Sequence, residues 1–137
     1  MKPAVLADTG PLYALADPDD QYHDRARKEL LAIQDEGRQT LVLYPTLMEA
    51  YTLISRYLGL NFAHAWLDSI TTGTGLLNPA PEDYADSMAI IQKYDDQDIT
   101  LFDAVVAVVS SKLQVPVWTF DSDFDLMRSN VWRNLAI

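Results

Sequence analysis

Short apolar runs alternate with helical segments along the whole of this chain, and no other feature narrows its possible folds as far. Pro3 to Ala7 reads as a strand that stops at Asp8-Thr9-Gly10-Pro11, a turn signal. A short helix is expected over Leu12 to Ala16. A longer one is expected over Asp19 to Glu36, with Tyr22, Ala26, Leu30 and Ile33 on one stripe and Gly37 as its stop. Leu41 to Tyr44 suits a strand, and Thr46 to Leu58 a helix ended by Gly59. Phe62 to Ile70 suits another helix, and Leu76 and Leu77 part of a short strand. Pro81 to Tyr94 has proline and acids at its start, as helix N-termini do. Thr100 to Leu113 is apolar over most of its surface, so a buried helix is expected there. Pro116 to Phe120 reads as a strand, and Val131 to Ala136 as a last edge strand. This alternation predicts an α/β fold with a central, mainly parallel sheet flanked by helices. No repeat, low-complexity tract or flexible linker interrupts it, so residues 1–137 read as a single domain.

Charge sets the next limit. Twenty Asp and Glu against ten Lys and Arg give a formal net charge of −10. A broad basic face for non-specific nucleic-acid binding is therefore excluded. Such a surface attracts cations and basic partners. Any nucleic-acid role needs metal ions, or local clusters of the few bases, to offset the acids. No run of about 18 apolar residues is present, so no membrane span is expected. The absence of cysteine excludes disulfides and thiolate metal sites and fits a cytoplasmic protein.

The chemistry is concentrated in four acids at element junctions. Asp8 ends the first predicted strand and Asp121 the strand VWTF, while Glu49 and Asp103 are expected in the first turns of their helices. Glu49 and Asp103 each follow a threonine by three residues, the spacing of a capping box, and taken singly each reads as a cap. Taken singly, Asp8 and Asp121 read equally well as turn residues. The combination reads differently. Parallel strands carry Asp8 and Asp121 to one sheet edge, where open α/β sheets form their sites. Asp103 opens the buried helix that faces that edge. None of the four has an adjacent Lys or Arg. Unpaired carboxylates that converge repel one another unless a cation stands between them, and hard divalent ions take such oxygen ligands.

These residues carry a resemblance. VLADTGPLYAL, PTLMEAYTLI and YDDQDITLFDAVVAVVSSKLQVPVWTFDSDF, in that order and spacing, are similar to a PIN-domain ribonuclease of the VapC type, the toxin of a toxin–antitoxin pair. The likeness spans nearly the whole chain and implies a PIN-like three-layer fold. The family's four acids fall on Asp8, Glu49, Asp103 and Asp121, and Thr9 fills the position beside the first. Asp96 and Asp123 match further acidic positions of the family. Two features depart from its pattern: Lys and Arg are sparse around the motifs, and Phe102 precedes Asp103 where a small or polar residue is commoner.

The resemblance implies an endoribonuclease that hydrolyses RNA with Mg²⁺ or Mn²⁺. Asp8, Asp103 and Asp121 would be ligands. Glu49 would be a ligand, an outer water holder or the base. Thr9 and Thr119 would position waters or phosphate. Arg56, two helical turns after Glu49, reads first as a solvated surface residue and second as a candidate phosphate contact. The family also implies a small antitoxin that inserts a segment near the carboxylates, and a homodimer. The apolar pair Thr46–Leu58 and Phe62–Ile70 is the candidate interface. Three other readings stand beside this one: an RNA-processing nuclease outside a toxin–antitoxin pair, a non-catalytic PIN-like binding module, and an acid-rich phosphatase. The last lacks a second Asp in Asp8-Thr9-Gly10, and the module would be signalled by loss of one of the four acids. His23, His64, Trp66, Trp118 and Trp132 read as packing residues, and Asp17 to Asp20 as a solvated turn.

Overall fold

The computed structural model describes residues 3–134. Its strands are β1 (Ala4–Ala7), β2 (Gln39–Leu43), β3 (Gly75–Leu77) and β4 (Val117–Trp118). Its helices are α1 (Thr9–Ala16), α2 (His23–Asp35), α3 (Tyr44–Leu58), α4 (Leu60–Gly73), α5 (Pro81–Lys93), α6 (Leu101–Leu113) and α7 (Asp123–Leu126). Among the described residues the strands form one sheet in the order β3-β2-β1-β4, with every neighbouring pair parallel. The expected α/β class with a mainly parallel sheet is what forms. No helix of the described residues is long and apolar enough to cross a membrane.

The three layers follow from the two-residue period of the central strand. Ala4 and Leu6 face one way and pack with Val105, Val106 and Val109 of α6 and with Phe124. Val5 and Ala7 face the other way, against Leu12 of α1, Ile33 of α2 and Leu47 of α3. The α6 segment is buried from Asp103 to Ser110, as its composition requires. Lys112 near its end bonds Asp83 of α5 and ties those two helices together.

Several boundaries differ from expectation, each for a local reason. The turn signal after β1 is in fact the start of α1: Gly10 and Pro11 lie in its first turn, where proline's missing N–H costs nothing. The helix expected from Asp19 starts at His23. Asp17 and Asp20 instead accept backbone N–H groups two residues on, from Asp19 at 3.0 Å and Tyr22 at 2.9 Å, and these bonds hold a turn. Tyr22 therefore lies outside the helical stripe, whose buried members are Ala26, Glu29 and Ile33. Pro45 starts α3 at Tyr44 rather than at Thr46. Thr46 is consequently inside the helix and buried, Glu49 is in the second turn, and the expected capping box at Thr46 does not form. Gly59, at φ 92°, separates α3 from α4. β4 is only two residues long, because Thr119 and Phe120 turn out of the sheet. Of the expected last strand, Val131 makes a single parallel bridge to Val117. The rest of that segment up to Asn134 is not strand, and residues 135–136 lie outside the described residues.

Candidate active site

The sheet order decides the site. β1 is flanked by β2 and β4, so the segments leaving β1 and β4 emerge side by side. The Asp8 amide donates to the Trp118 carbonyl at 2.9 Å, which fixes Asp8 against the chain just before Thr119. Asp8 occupies the N-cap position of α1 but makes no side-chain cap bond there. Its Oδ2 accepts instead from the Thr119 hydroxyl at 2.8 Å. The same hydroxyl oxygen accepts the Asp121 amide at 2.9 Å. Thr119 thus uses its donor on one acid and its acceptor on the backbone of another.

Asp103 is the third residue of α6. Thr100 is the N-cap, and its hydroxyl accepts the Asp103 amide at 3.1 Å. The cap therefore uses the backbone of Asp103, and the carboxyl turns to the sheet edge. From α3, Glu49 accepts the Thr9 hydroxyl through Oε1. Asp121 Oδ1 accepts the Asp123 amide at 2.9 Å, which holds the short turn that opens α7.

These groups share one cavity of about 600 Å³, lined by Asp8, Thr9, Glu49, Thr100, Asp103 and Asp121 together with Asp20, Tyr22 and Phe120. Among the described residues no Lys, Arg or His lines it. The electrostatic result is visible in two carboxyls. Burial pushes Asp103 up to about 7, with the negative fields of Asp8, Asp121 and Glu49 adding to it and the Thr100 hydrogen bond opposing. Burial pushes Asp8 up to about 6; its hydrogen bonds to Thr119 and the Thr9 amide oppose, and Glu49 and Asp121 add. Burial and the charges of Asp121 and Asp98 also raise Asp123. Asp8 and Asp103 are thus destabilised as anions, by burial first and by their acidic neighbours second.

A cation fits this donor set. One carboxylate oxygen from each of Asp103, Asp121 and Asp123 lies within 4.8 Å of the others. Ligand oxygens around an octahedral Mg²⁺ at about 2.1 Å span up to about 4.2 Å, so a small closure brings the three onto one ion. The donors are all oxygen, which suits Mg²⁺ or Mn²⁺ rather than softer metals. Asp8 and Glu49 stand outside that triplet but line one cavity with Asp103 and Asp121, and their charges act on Asp103.

The remaining candidates divide. Thr9 and Thr119 are at the site, each bonded to one of its acids. Arg56 is exposed and does not line the cavity; one turn after Glu49 it is Leu53 that does. Asp96 is exposed in the turn before α6, and it is Asp98, two residues on, whose charge reaches Asp123. His23 Nδ1 donates to the Ala14 carbonyl at 2.7 Å, and Trp118 donates to Glu29 at 2.9 Å, both packing roles. Sequence reasoning passed over Asp20, Tyr22 and Phe120 as cavity residues. Asp20 looked like part of a solvated turn, and the two aromatics looked like stripe and strand residues.

No family model matches the chain, and no curated protein matches it in sequence. Solved structures do. VapC20 of Mycobacterium tuberculosis, a sarcin-ricin loop cleaving toxin, is 19% identical with a TM-score of 0.83, over 96% of this chain and 100% of its own. VapBC2 of Rickettsia felis, solved bound to a DNA fragment of its promoter, is 11% identical with a TM-score of 0.74, over 96% and 98%. A toxin–antitoxin complex from Klebsiella pneumoniae is 18% identical with a TM-score of 0.69, over 95% and 97%. The fold of this chain is the PIN-like fold of VapC-type toxins.

Proposed function

We propose that this chain, folded as VapC-type toxins are, is a metal-dependent endoribonuclease and the toxin of a type II toxin–antitoxin pair, with residues 1–137 as one nuclease domain. The observation that carries this reading is a single cavity holding Asp8, Glu49, Asp103 and Asp121, with no basic residue among its described lining. VapC20, a sarcin-ricin loop cleaving toxin on the same fold, supports RNA as the substrate.

Asp103, Asp121 and Asp123 would hold Mg²⁺ or Mn²⁺, with Asp8 adjoining. When bound, the ion supplies an activated water and neutralises charge on the leaving oxygen. The chain's own residues do the rest. Thr119 fixes the Asp8 carboxylate and, through the Asp121 amide, the turn that carries Asp121. Thr9 holds Glu49 by Oε1, leaving Oε2 to take a proton from the attacking water. Burial of Asp8 and Asp103 keeps bulk water from screening the field they would exert on a bound cation.

The toxin–antitoxin complexes among the structural neighbours support an antitoxin partner. The acidic surface suits one with a basic segment. A homodimer is proposed through α3 and α4, whose Met48, Tyr57, Leu60 and Phe62 are large, apolar and exposed. The protein would act in the cytoplasm, where RNA substrate and antitoxin are found. Incubation of a panel of RNAs with wild type and Asp8→Asn, with and without Mg²⁺ or Mn²⁺, tests the reading. Metal-dependent cleavage by wild type alone is expected, and cleavage that survives both chelation and the substitution would rule it out.

A further inference from the structure

We infer that Tyr22, Arg25 and Phe120 form a nucleotide-binding face on the rim of the carboxylate cavity, which stacks a base and contacts a phosphate of single-stranded RNA. This rests on the ribonuclease reading and extends it to how substrate is held. Phe120 lies between Thr119, which is bonded to Asp8, and Asp121, so its ring is tied directly to the site. The ring lies close over Gly10, where an added Cβ would be 3.7 Å from Phe120 Cδ2. The Arg25 guanidinium stands over it, 4.5 Å from the ring centroid. Tyr22 meets it at 5.3 Å between centroids, with the planes inclined by 41°. Tyr22 lines the cavity and is 42% exposed, so its ring offers an aromatic surface at the cavity mouth.

Arg25 is held in place. Its Nε donates to Glu29 Oε2 at 3.1 Å, and Glu29 is buried with Oε1 accepting from Trp118 at 2.9 Å. The guanidinium is therefore set before any ligand arrives, and its side chain remains 51% exposed. Among the described residues its Nη atoms make no hydrogen bond. An aromatic surface beside a fixed, planar cation is what base stacking and phosphate contact require, and stacking tolerates any base. The arrangement also answers a difficulty of the site. A cavity whose charged lining is all acidic repels a phosphodiester, and Arg25 places a positive charge at its edge.

The test is equilibrium binding, by fluorescence anisotropy in Mg²⁺, of labelled single-stranded RNA and of the matching abasic sugar–phosphate chain. The parent is the full chain carrying Asp8→Asn, to prevent cleavage; Tyr22→Leu, Tyr22→Phe, Arg25→Gln and Arg25→Lys are compared in it. Tyr22→Leu is expected to weaken base-bearing RNA about tenfold and leave the abasic chain unchanged, with Tyr22→Phe near the parent. Arg25→Gln is expected to weaken both ligands and to lower the salt slope by about 0.7, with Arg25→Lys keeping the slope. A parent that binds RNA while Tyr22→Leu and Arg25→Gln bind it within twofold would overturn this face and leave the ribonuclease reading intact. A wild type that neither binds nor cleaves RNA would remove both.

Discussion

Thr119 donates its hydroxyl to Asp8 at 2.8 Å across 111 residues of sequence. That bond joins the β1 and β4 ends, two of the four chain segments that build the site. Thr119→Val keeps the shape and removes the donor, so a buried carboxylate oxygen loses its partner, at a cost of about 1–3 kcal/mol. Asp8 should then be still harder to ionise, since Thr119 is the largest influence holding it down. Cleavage is expected to fall at least tenfold and to recover partly at higher pH. Thr119→Ser should stay near wild type. A pH–rate profile of the two variants checks both statements.

Removing ligand charge should abolish chemistry without removing the fold. Asp8→Asn, Asp103→Asn and Asp121→Asn are each expected to lower RNA cleavage by orders of magnitude. Asp123→Asn should behave as a weaker ligand loss, shifting the Mg²⁺ dependence to higher concentration, because Asp123 is the member of the oxygen triplet that does not line the cavity. Metal titrations of single-turnover rates separate these outcomes; near wild-type rates in all four variants would refute the metal site.

Glu49→Gln separates catalysis from helix capping. Glu49 lies past the first turn of α3 and has no cap to lose. Melting should therefore stay within about 0.5 kcal/mol of wild type, the range of ordinary surface changes. Cleavage should fall strongly, since Gln still accepts from Thr9 but cannot take a proton. Loss of stability with unchanged rates would return Glu49 to a structural role.

The metal-free protein should lose stability as pH rises. Asp8 and Asp103 have folded pKa values of about 6 and about 7, above the value of 3.8 they start from. The unfolded chain therefore ionises first, so the favourable contribution is complete below about pH 4 and is lost as pH climbs through 6 to 7. For Asp8 alone the change amounts to roughly 3 kcal/mol. In chelator, the unfolding free energy should fall across that window. Asp8→Asn should flatten the fall and be no less stable than wild type at pH 8. Millimolar Mg²⁺ should restore wild type by binding the native state, and do less for the variant. Identical pH profiles for the two proteins would show that the acids do not share a field.

Much of this was legible in the sequence because the signals were local. Short apolar runs alternating with helical segments, a helix apolar over most of its surface and acids at element ends required no tertiary information, and they gave the parallel sheet and pointed to the four carboxylates. The errors arose where two local signals competed. Gly10-Pro11 reads as a turn and also as a helix start, and only the sheet's demand for an immediate reversal selects the second. Pro45 and Thr46 both mark helix starts, and the proline prevailed, which freed Glu49 from capping. Arg25 and Tyr22 could not be found from spacing, because what makes them relevant is Phe120, some 95 residues away in sequence and 5.3 Å from Tyr22 in space. Asp98 for Asp96 is the same kind of case: a turn decides which of several adjacent acids brings its charge to bear on Asp123.

The strand order has a consequence for biosynthesis. Asp8 and the hydroxyl that orients it lie 111 residues apart, so Asp8 leaves the ribosome well before Thr119, Asp121 and Asp123 do. β4 must dock on a β1 that has waited through the synthesis of everything between them. A nascent chain that has not yet reached β4 therefore carries Asp8, Glu49 and Asp103 with nothing to complete them. The topology makes the carboxylate cluster one of the last features of this fold to assemble.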